Sequence, residues 1–239
     1  KWLRVAGAAA AVVVVFGVSF NVSPAFAQAV DEIPVVGDIA RVLTVRSFTE
    51  EQPDHTVNVE QPMVADDTQF AADVNEQINK IVDQYIEEAN QRIAEYREAF
   101  LATGGTEEEF EQKNIQVDVD YEILSETEDR VSFVLRAAES DISAGKEIVY
   151  YNLDLTTGQV LTLEDVLGED WVNICNSSIQ EQMAANTDVS YFSEDQGGFT
   201  TVDENTSFYL DEDGSVVVVF PKYSIAPGAY GEQTFRIDA

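Results

Sequence analysis

The sequence predicts an α+β fold: antiparallel sheets packed against a long amphipathic helix and a second, shorter helix, preceded by a single N-terminal transmembrane segment. Three observations indicate it. An uncharged apolar stretch opens the chain, apolar residues recur at helical spacing over 67–102, and alternating apolar and polar segments flank that helix. With 45% hydrophobic and 10% aromatic residues, the chain can build a core and is not a disordered acidic tail.

The stretch from Val5 to Val30 carries no charged residue and directly follows Arg4. Because cationic flanks stay on the cytoplasmic side of a membrane, the residues after the stretch are predicted to be extracytoplasmic. We expect residues 5–22 to cross the cell membrane once, since a spanning helix needs roughly 20 apolar residues. A plain secretory signal is the alternative, because its apolar region needs only about 7–15 residues.

A signal-peptidase site is predicted at the end of this stretch. Ala25 and Ala27 are small residues spaced as A-x-A, which suits cleavage between Ala27 and Gln28. Pro24 discourages the preceding helix from continuing. Without cleavage, the helix anchors the protein in the membrane. Cleavage releases the outer part. If the segment 28–36 packs against the folded domain, cleavage is blocked, and a ligand that favours the undocked state shifts the population.

The strongest secondary-structure signal is the long helix at 67–102. Asp66 followed by Gln69 can cap its start, and Gly104-Gly105 ends it. Its apolar residues recur at steps of three or four and form one stripe: Phe70, Val74, Ile78, Ile81, Tyr85, Ala89, Ile93, Tyr96 and Phe100. Core packing is the favoured interpretation of this stripe, and a ligand groove is the alternative.

The remaining elements follow from alternation and from turn residues. A short helical turn at 33–41 precedes a strand near Val42 to Phe48, and a hairpin loop with Pro53 and Asp54 joins it to a strand at 55–64. Further strands are predicted at 117–123, 130–138, 146–155, 208–210, 216–220 and 234–237. Short helices are predicted at 163–168 and 170–186, with a solvated acidic run at 107–111 and a loop at 188–205. Val216–Phe220 is apolar on both faces and should lie centrally in its sheet.

The predicted organisation has three parts: a transmembrane or signal-like segment at 1–27, a membrane-proximal α+β part at 28–140, and a C-terminal α+β part at 141–239. Whether the two outer parts form one domain or two stays open. After Val30 the chain has 11 basic and 45 acidic residues, a net charge of −34. Such a charge repels nucleic acid and attracts a cationic protein, although it also serves simply to keep a secreted protein soluble.

No residue pattern points to catalysis, a metal or a cofactor. The chain has one cysteine, Cys175, and one histidine, His55, so soft metal sites lack a ligand set. Cys175 falls on the apolar face of a helix and is predicted to lie in the core. Asp211–Gly214 lacks the full calcium-loop pattern and is predicted to be a hairpin turn. A hydrolase using paired carboxylates is the weakest hypothesis, because many acids form suitable pairs by chance.

Two stretches together suggest a family. YNLDLTTGQVLTLEDVL at 151–167 looks like a strand–turn–helix signature, and FPKYSIAPGAYG at 220–231 looks like its closing partner. They resemble the C-terminal domain of the anti-sigma-V factors of the RsiV type, a domain that also occurs beside certain cell-wall polysaccharide deacetylases. The stretches NVSPAFA at 21–27 and IPVVG at 33–37 are similar to that family's segment just outside the membrane.

The resemblance implies a membrane-tethered anti-sigma factor, not an enzyme, whose outer domain senses lysozyme. In that family lysozyme binding exposes a site to signal peptidase, and a second cut in the membrane frees the sigma factor. The sigma-binding segment is expected in a cytoplasmic part outside these 239 residues. Ala25, Ala27 and Gln28 match the first cleavage site. The runner-up hypothesis is a secreted module that binds cell-wall glycan or assists a deacetylase.

The predicted ligand surface is the segment from Pro221 to Tyr230. It combines prolines, a glycine and two tyrosines, and rigid aromatic residues of this kind suit a binding hot spot. The residues proposed to bind are Pro221, Tyr223, Pro227, Gly228 and Tyr230. The alternative is that they only turn the chain between two strands.

Overall fold

The structure is a computed structural model that describes residues 42–140 and 146–237. The strands are β1 (Val42–Glu51), β2 (His55–Val64), β3 (Ile115–Glu126), β4 (Arg130–Glu139), β5 (Glu147–Asp154), β6 (Gln159–Val160), β7 (Ser207–Leu210), β8 (Val216–Phe220) and β9 (Gln233–Ile237). The α-helices are α1 (Gln69–Ala102), α2 (Glu107–Glu111), α3 (Leu163–Leu167) and α4 (Trp171–Ala185), with 3₁₀ turns at Glu194–Gln196 and Gly228–Tyr230.

The predicted transmembrane segment at 5–22, the cleavage residues Ala25, Ala27 and Gln28, and the helical turn at 33–41 lie outside the described residues. Within the described ranges, no helix combines the length and the apolar character that crossing a membrane requires.

The first sheet has the strand order β1-β2-β3-β4-β5-β6. The antiparallel hairpin β1–β2 and the antiparallel pairs β3–β4 and β4–β5 confirm the predicted strands. The expectation of a purely antiparallel sheet was wrong at one place, because β2 and β3 are parallel. The physical reason is α1, which connects these two strands and carries the chain back along the sheet, so that β3 starts where β2 started. The first sheet is therefore mixed.

Helix α1 presents its apolar stripe to the first sheet, as the spacing predicts. Its buried residues are Ala71, Val74, Ile78, Val82, Tyr85, Ala89 and Ile93. The N-cap is Thr68 and not Asp66, since the Thr68 hydroxyl accepts a hydrogen bond from the Ala71 amide at 3.2 Å. Asp66 instead accepts from the Thr68 amide at 3.0 Å and so shapes the turn before the cap. The helix ends at Ala102, and Gly104, two residues beyond it, has a φ of +98°.

The second sheet has the order β7-β8-β9, which confirms the central position of β8. Helix α4 packs against it and contributes the buried Cys175 and Ile179 to a second hydrophobic core. Cys175 is thus a core residue, as predicted, and burial raises the pKa of its thiol to about 11. A thiol in this state is almost entirely protonated at neutral pH and chemically inert.

The two sheets meet at a polar seam made of three side chains of the first sheet and the backbone of β7. The Leu210 amide donates to Asn152 Oδ1 at 3.1 Å and to Ser132 Oγ at 3.3 Å. The Leu210 carbonyl accepts from the Ser125 hydroxyl at 2.5 Å, and the Phe208 carbonyl accepts from Asn152 Nδ2 at 2.8 Å. We call this group the polar seam. It replaces the strand partner that β7 lacks on this edge.

The predicted division of the outer region at about residue 140 stays a prediction. Strands β5 and β6 follow this point in the chain and yet extend the first sheet. The hydrophobic residues nevertheless form two clusters, one between α1 and the first sheet and one between α4 and the second sheet.

Replacing Asn152 with leucine should lower the free energy of unfolding by about 2–3 kcal/mol, because the Phe208 carbonyl would stay buried without a donor. Chemical denaturation of the wild type and the Asn152→Leu variant measures this. The matched control is Asn205→Ala, which truncates an exposed asparagine and should change stability by less than about 0.5 kcal/mol. An equally small effect at both positions would contradict the importance of the polar seam.

Candidate partner-binding surface

The segment of residues 221–230, here called the closing loop, connects β8 to β9. Its first turn is closed by the Ser224 amide, which donates to the Pro221 carbonyl at 3.0 Å. Ile225 and Ala226 are buried, and the Ile225 carbonyl accepts from the Phe192 amide at 2.9 Å. The middle of the loop is therefore anchored to the second core, while its two ends are free to present side chains.

Tyr223 has an unusual backbone conformation. Its φ is +75°, in the left-handed region, and its side chain is among the most exposed large apolar groups of the described residues, at 69%. A non-glycine residue in this region carries a steric penalty of roughly 1–2 kcal/mol. Strain of this kind is concentrated at functional positions, where it holds a group ready for its partner. Backbone strain combined with exposure marks Tyr223 as the main candidate residue.

Two neighbours hold the Tyr223 ring in place. A Cβ atom added to Gly228 would lie 2.0 Å from Cε1 of the ring, so only glycine allows the ring to approach the backbone here. The ammonium group of Lys222 lies 5.1 Å from the ring centroid, in cation–π range. The exposed ring thus rests on Gly228 and is ordered before any partner arrives.

The five predicted binding residues differ in how exposed they are. Pro221, Tyr223 and Tyr230 are exposed, Pro227 is half-buried, and Gly228 is buried. Gly228 is therefore positioned to support Tyr223 and does not itself offer a contact surface. Tyr230 is 41% exposed, and its carbonyl accepts from Gln233 Nε2 at 2.9 Å, which ties this end of the loop to β9.

Sequence reasoning missed an aromatic pair next to the loop. The rings of Tyr150 and Tyr209 are stacked with centroids 6.2 Å apart, and the Tyr150 hydroxyl donates to Glu232 at 3.4 Å. Burial, helped by the Glu232 carboxylate, raises the pKa of Tyr150 to about 12. The alternation in β5 assigns Tyr150 and Tyr151 to opposite faces, but it does not show that Tyr150 reaches Glu232, just beyond the closing loop.

The C-terminal part of the chain, which contains the closing loop, is strongly acidic. Between residues 164 and 239 the chain has 15 acidic and 2 basic residues. One base, Arg236, forms ion pairs with Asp211 and Asp213, and the other, Lys222, covers the Tyr223 ring. A cationic partner is therefore attracted to the part of the chain that carries the two exposed tyrosines.

A second acidic region lies on the outer face of β3, where Asp118, Asp120 and Glu122 alternate with core residues. Burial, together with the neighbouring carboxylates, raises the pKa of Asp120, while Arg136 opposes this shift. Burial is the main cause of the raised pKa, and repulsion from Asp118 and Glu122 adds to it. A positive charge brought to this face would relieve that repulsion.

Asp211–Gly214 forms the predicted hairpin turn, and the Asp211 carboxylate stabilises it. Asp211 Oδ1 accepts from the amides of Asp213 and Ser215, both at 3.0 Å, while its other oxygen pairs with Arg236. Within residues 42–140 and 146–237, no group of His, Cys, Asp and Glu is arranged to hold a metal ion. His55 is buried, with its ring nitrogens bonded to Asp54 and Asn90, and thus has a structural role.

Known proteins match both the sequence and the fold. The family model described as "Protein of unknown function (DUF3298)" matches residues 164–239, the part that holds α3, α4 and the second sheet. The chain is 26% identical over 237 residues to the anti-sigma-V factor RsiV of Bacillus subtilis, covering 96% of this chain and 79% of that protein.

One solved structure shares the architecture, and a second is more distantly similar. A DUF3298 family member from Bacteroides fragilis has a TM-score of 0.53 at 18% identity, over 77% of this chain and 80% of that chain. A DUF3298 family protein from Pseudomonas aeruginosa has a TM-score of 0.47 at 14% identity, over 84% of this chain and 91% of that chain. The chain is thus similar to RsiV along nearly the whole sequence and matches the DUF3298 family model at its C-terminal end.

Proposed function

We propose that this chain is the membrane-tethered extracytoplasmic sensor of an anti-sigma factor, that it binds lysozyme, and that signal-peptidase cleavage releases it so that a sigma factor becomes active. The observation that carries the proposal is the strained, exposed Tyr223 in an acidic domain of a chain related to RsiV over 96% of its length. The sigma factor would be held by a cytoplasmic part outside these residues.

The charge of the chain supports a cationic protein as the ligand. Many lysozymes are strongly basic, and a net charge of −34 after Val30 would steer them to the domain. Long-range attraction raises the association rate more than it raises affinity. Recognition therefore needs a local contact as well, and the closing loop is the candidate.

The closing loop has the features of a binding hot spot. Hot spots are enriched in tyrosine and lie in groups that are rigid before binding. The Tyr223 ring rests on Gly228, so it loses little freedom when a partner binds, and the Tyr230 backbone is held by Gln233. We propose that Tyr223 and Tyr230 insert into a concave surface of lysozyme, with Pro221 and Pro227 stiffening the loop and Gly228 supporting Tyr223.

Signal transmission would act on the segment before β1. Cleavage between Ala27 and Gln28 needs an extended, accessible chain, and Ile33, Val35 and Val36 are apolar enough to dock on the folded domain. A ligand that binds the undocked state more tightly shifts the population toward cleavage by its differential affinity. The closing loop and the cleavage segment would then be coupled through the domain.

Replacing Tyr223 with alanine should weaken the binding of a cationic lysozyme at least about tenfold, equivalent to about 1.4 kcal/mol, because the anchor ring is lost. Calorimetry on the full chain in a neutral detergent, at low and at physiological salt, measures the affinity. The control Ile123→Ala removes an exposed apolar side chain from β3 and should leave binding unchanged. Binding that vanishes at physiological salt would reduce the interaction to nonspecific charge attraction and favour a glycan ligand.

Replacing Tyr223 with asparagine should separate stability from binding. Asparagine tolerates a positive φ better than tyrosine, so the free energy of unfolding should stay the same or rise by up to about 1 kcal/mol. Lysozyme affinity should fall as it does for alanine, since the ring is absent in both variants. Thermal unfolding and calorimetry on the same sample test this. A marked loss of stability would mean that the ring serves mainly to hold the loop together.

Replacing Ala27 with leucine should block cleavage, because signal peptidase requires a small residue directly before the bond that it cuts. The matched control is Ala29→Leu, which makes the same change beyond the cleaved bond and should be cut normally. Immunoblotting of membranes with and without added lysozyme measures the released fragment. Equal release of the fragment without lysozyme would indicate a constitutive secretory signal and would contradict the proposed role as a lysozyme sensor.

A further inference from the structure

A groove of about 480 Å³ runs beside the outer edge of β5. Its floor includes Ile148 and Tyr150 of β5, and Trp171 at the start of α4 forms part of one wall. Val149 and Asn152 of β5 and the segments 161–164 and 203–208 supply the rest of the lining. We call it the β5 groove. It is separate from the closing loop, although Tyr150 contributes to its floor and bonds to Glu232 near that loop.

The backbone of β5 is open toward this groove. On the side away from β4, β6 pairs only with Leu153 and Asp154, so in the described part of the chain the stretch from Glu147 to Tyr151 has no strand partner there. The Leu161 amide donates to the Asn152 carbonyl at 2.7 Å, which shows that Asn152 directs its backbone outward. Because successive residues of a strand direct their backbone groups to opposite edges, Ile148 and Tyr150, like Asn152, direct their amides and carbonyls outward.

An open strand edge of this kind is a template for another strand. Proteins usually protect such edges with proline, a bulge or a covering element. The β4–β5 register has no bulge, and Ile148 is 37% exposed. Extended peptides bind such edges by adding a strand, with main-chain hydrogen bonds giving affinity and side-chain pockets giving specificity.

The side chains of the β5 groove select for positive charge. Glu164, Asp203 and Glu204 line it and are exposed at the surface, whereas no lysine, arginine or histidine does so among the described residues. Trp171 offers a half-buried aromatic surface beside these carboxylates. The lining therefore matches a segment that combines basic and apolar side chains, and it would repel an acidic one.

We propose that the β5 groove binds an extended basic segment of a partner protein by strand addition. The backbone of that segment pairs with Ile148 and Tyr150, its basic side chains meet Glu164 and Glu204, and an apolar side chain packs on Trp171. This interaction goes beyond the proposed role of the closing loop and does not depend on lysozyme being the ligand there. It gives the domain a second recognition surface of different chemistry.

The probe is a short labelled peptide of alternating valine and lysine, added to the full chain in a neutral detergent. Fluorescence anisotropy measures binding, and amide hydrogen exchange maps it. We expect binding with slowed exchange at the Ile148 and Tyr150 amides. A second peptide with alternate backbone amides methylated keeps the charge but cannot form the ladder, and it should bind at least about tenfold more weakly.

Two variants test the two halves of the proposal. Ile148→Pro removes an outward amide that has no ladder partner, so the strand should tolerate it while peptide binding falls at least about tenfold. The double variant Glu164→Gln with Glu204→Gln should weaken binding several-fold. Its matched control is Glu194→Gln with Asp195→Asn, which makes the same change in charge on exposed residues away from the groove and should have no effect.

The outcomes are decisive in either direction. Equal binding of the methylated peptide, or no effect of Ile148→Pro in a folded variant, would overturn strand addition. If the Ile148→Pro variant fails to fold, the hydrogen-exchange map and the double variant Glu164→Gln with Glu204→Gln still test whether the peptide binds in the β5 groove. Binding that is lost in Tyr223→Ala but kept in the groove variants would assign the peptide to the closing loop. Absence of any peptide binding would overturn the proposal while leaving the lysozyme test untouched.

Discussion

The polar seam is the constraint on which the rest of this structure depends. Strand β7 ends the second sheet, and its backbone groups on that edge would be buried without partners if Asn152, Ser132 and Ser125 did not reach them. An unpaired buried amide or carbonyl costs about 1–3 kcal/mol, which is a large part of a typical domain's stability. The seam therefore aligns β7 across β5. That alignment stacks Tyr209 on Tyr150 and forms one side of the β5 groove.

One basic residue of this acidic chain is placed against a buried carboxylate. A strongly negative chain repels itself in the compact state, so each base contributes most where a carboxylate is buried. Glu139 has a fully buried side chain, and Arg92 of α1 donates to it from Nε and Nη2. That hydrogen bond raises the pKa of Arg92. The remaining acids are left on the surface, where their mutual repulsion favours a cationic partner.

Rigidity and strain are combined in the closing loop. Its centre is fixed by Ile225 in the second core, and the stability of that core supports the unfavourable φ of Tyr223. A loop without this anchor would relax to an ordinary turn and lose the exposed ring position. The β5 groove works differently, since its recognition groups are backbone amides and carbonyls held by the sheet. The two surfaces are adjacent through Tyr150 and Glu232, so one large partner could contact both.

By itself, the sequence determined what depends on near neighbours: the long helix α1, nearly all the strands, the central place of β8 and the burial of Cys175. Its motifs also indicated the similarity to RsiV. Periodicity and turn-forming residues depend only on neighbouring positions, so they predict the same helices and strands however these elements pack together. Only the tertiary structure decided the parallel β2–β3 pair, the role of Asn152 in the seam, the positive φ of Tyr223, and the open edge of β5. Asn152 and Phe208 are 56 positions apart, and Ser132 and Leu210 are 78 positions apart. No local pattern encodes such pairs, because their energy comes from burial and hydrogen bonding that exist only once the sheets have packed.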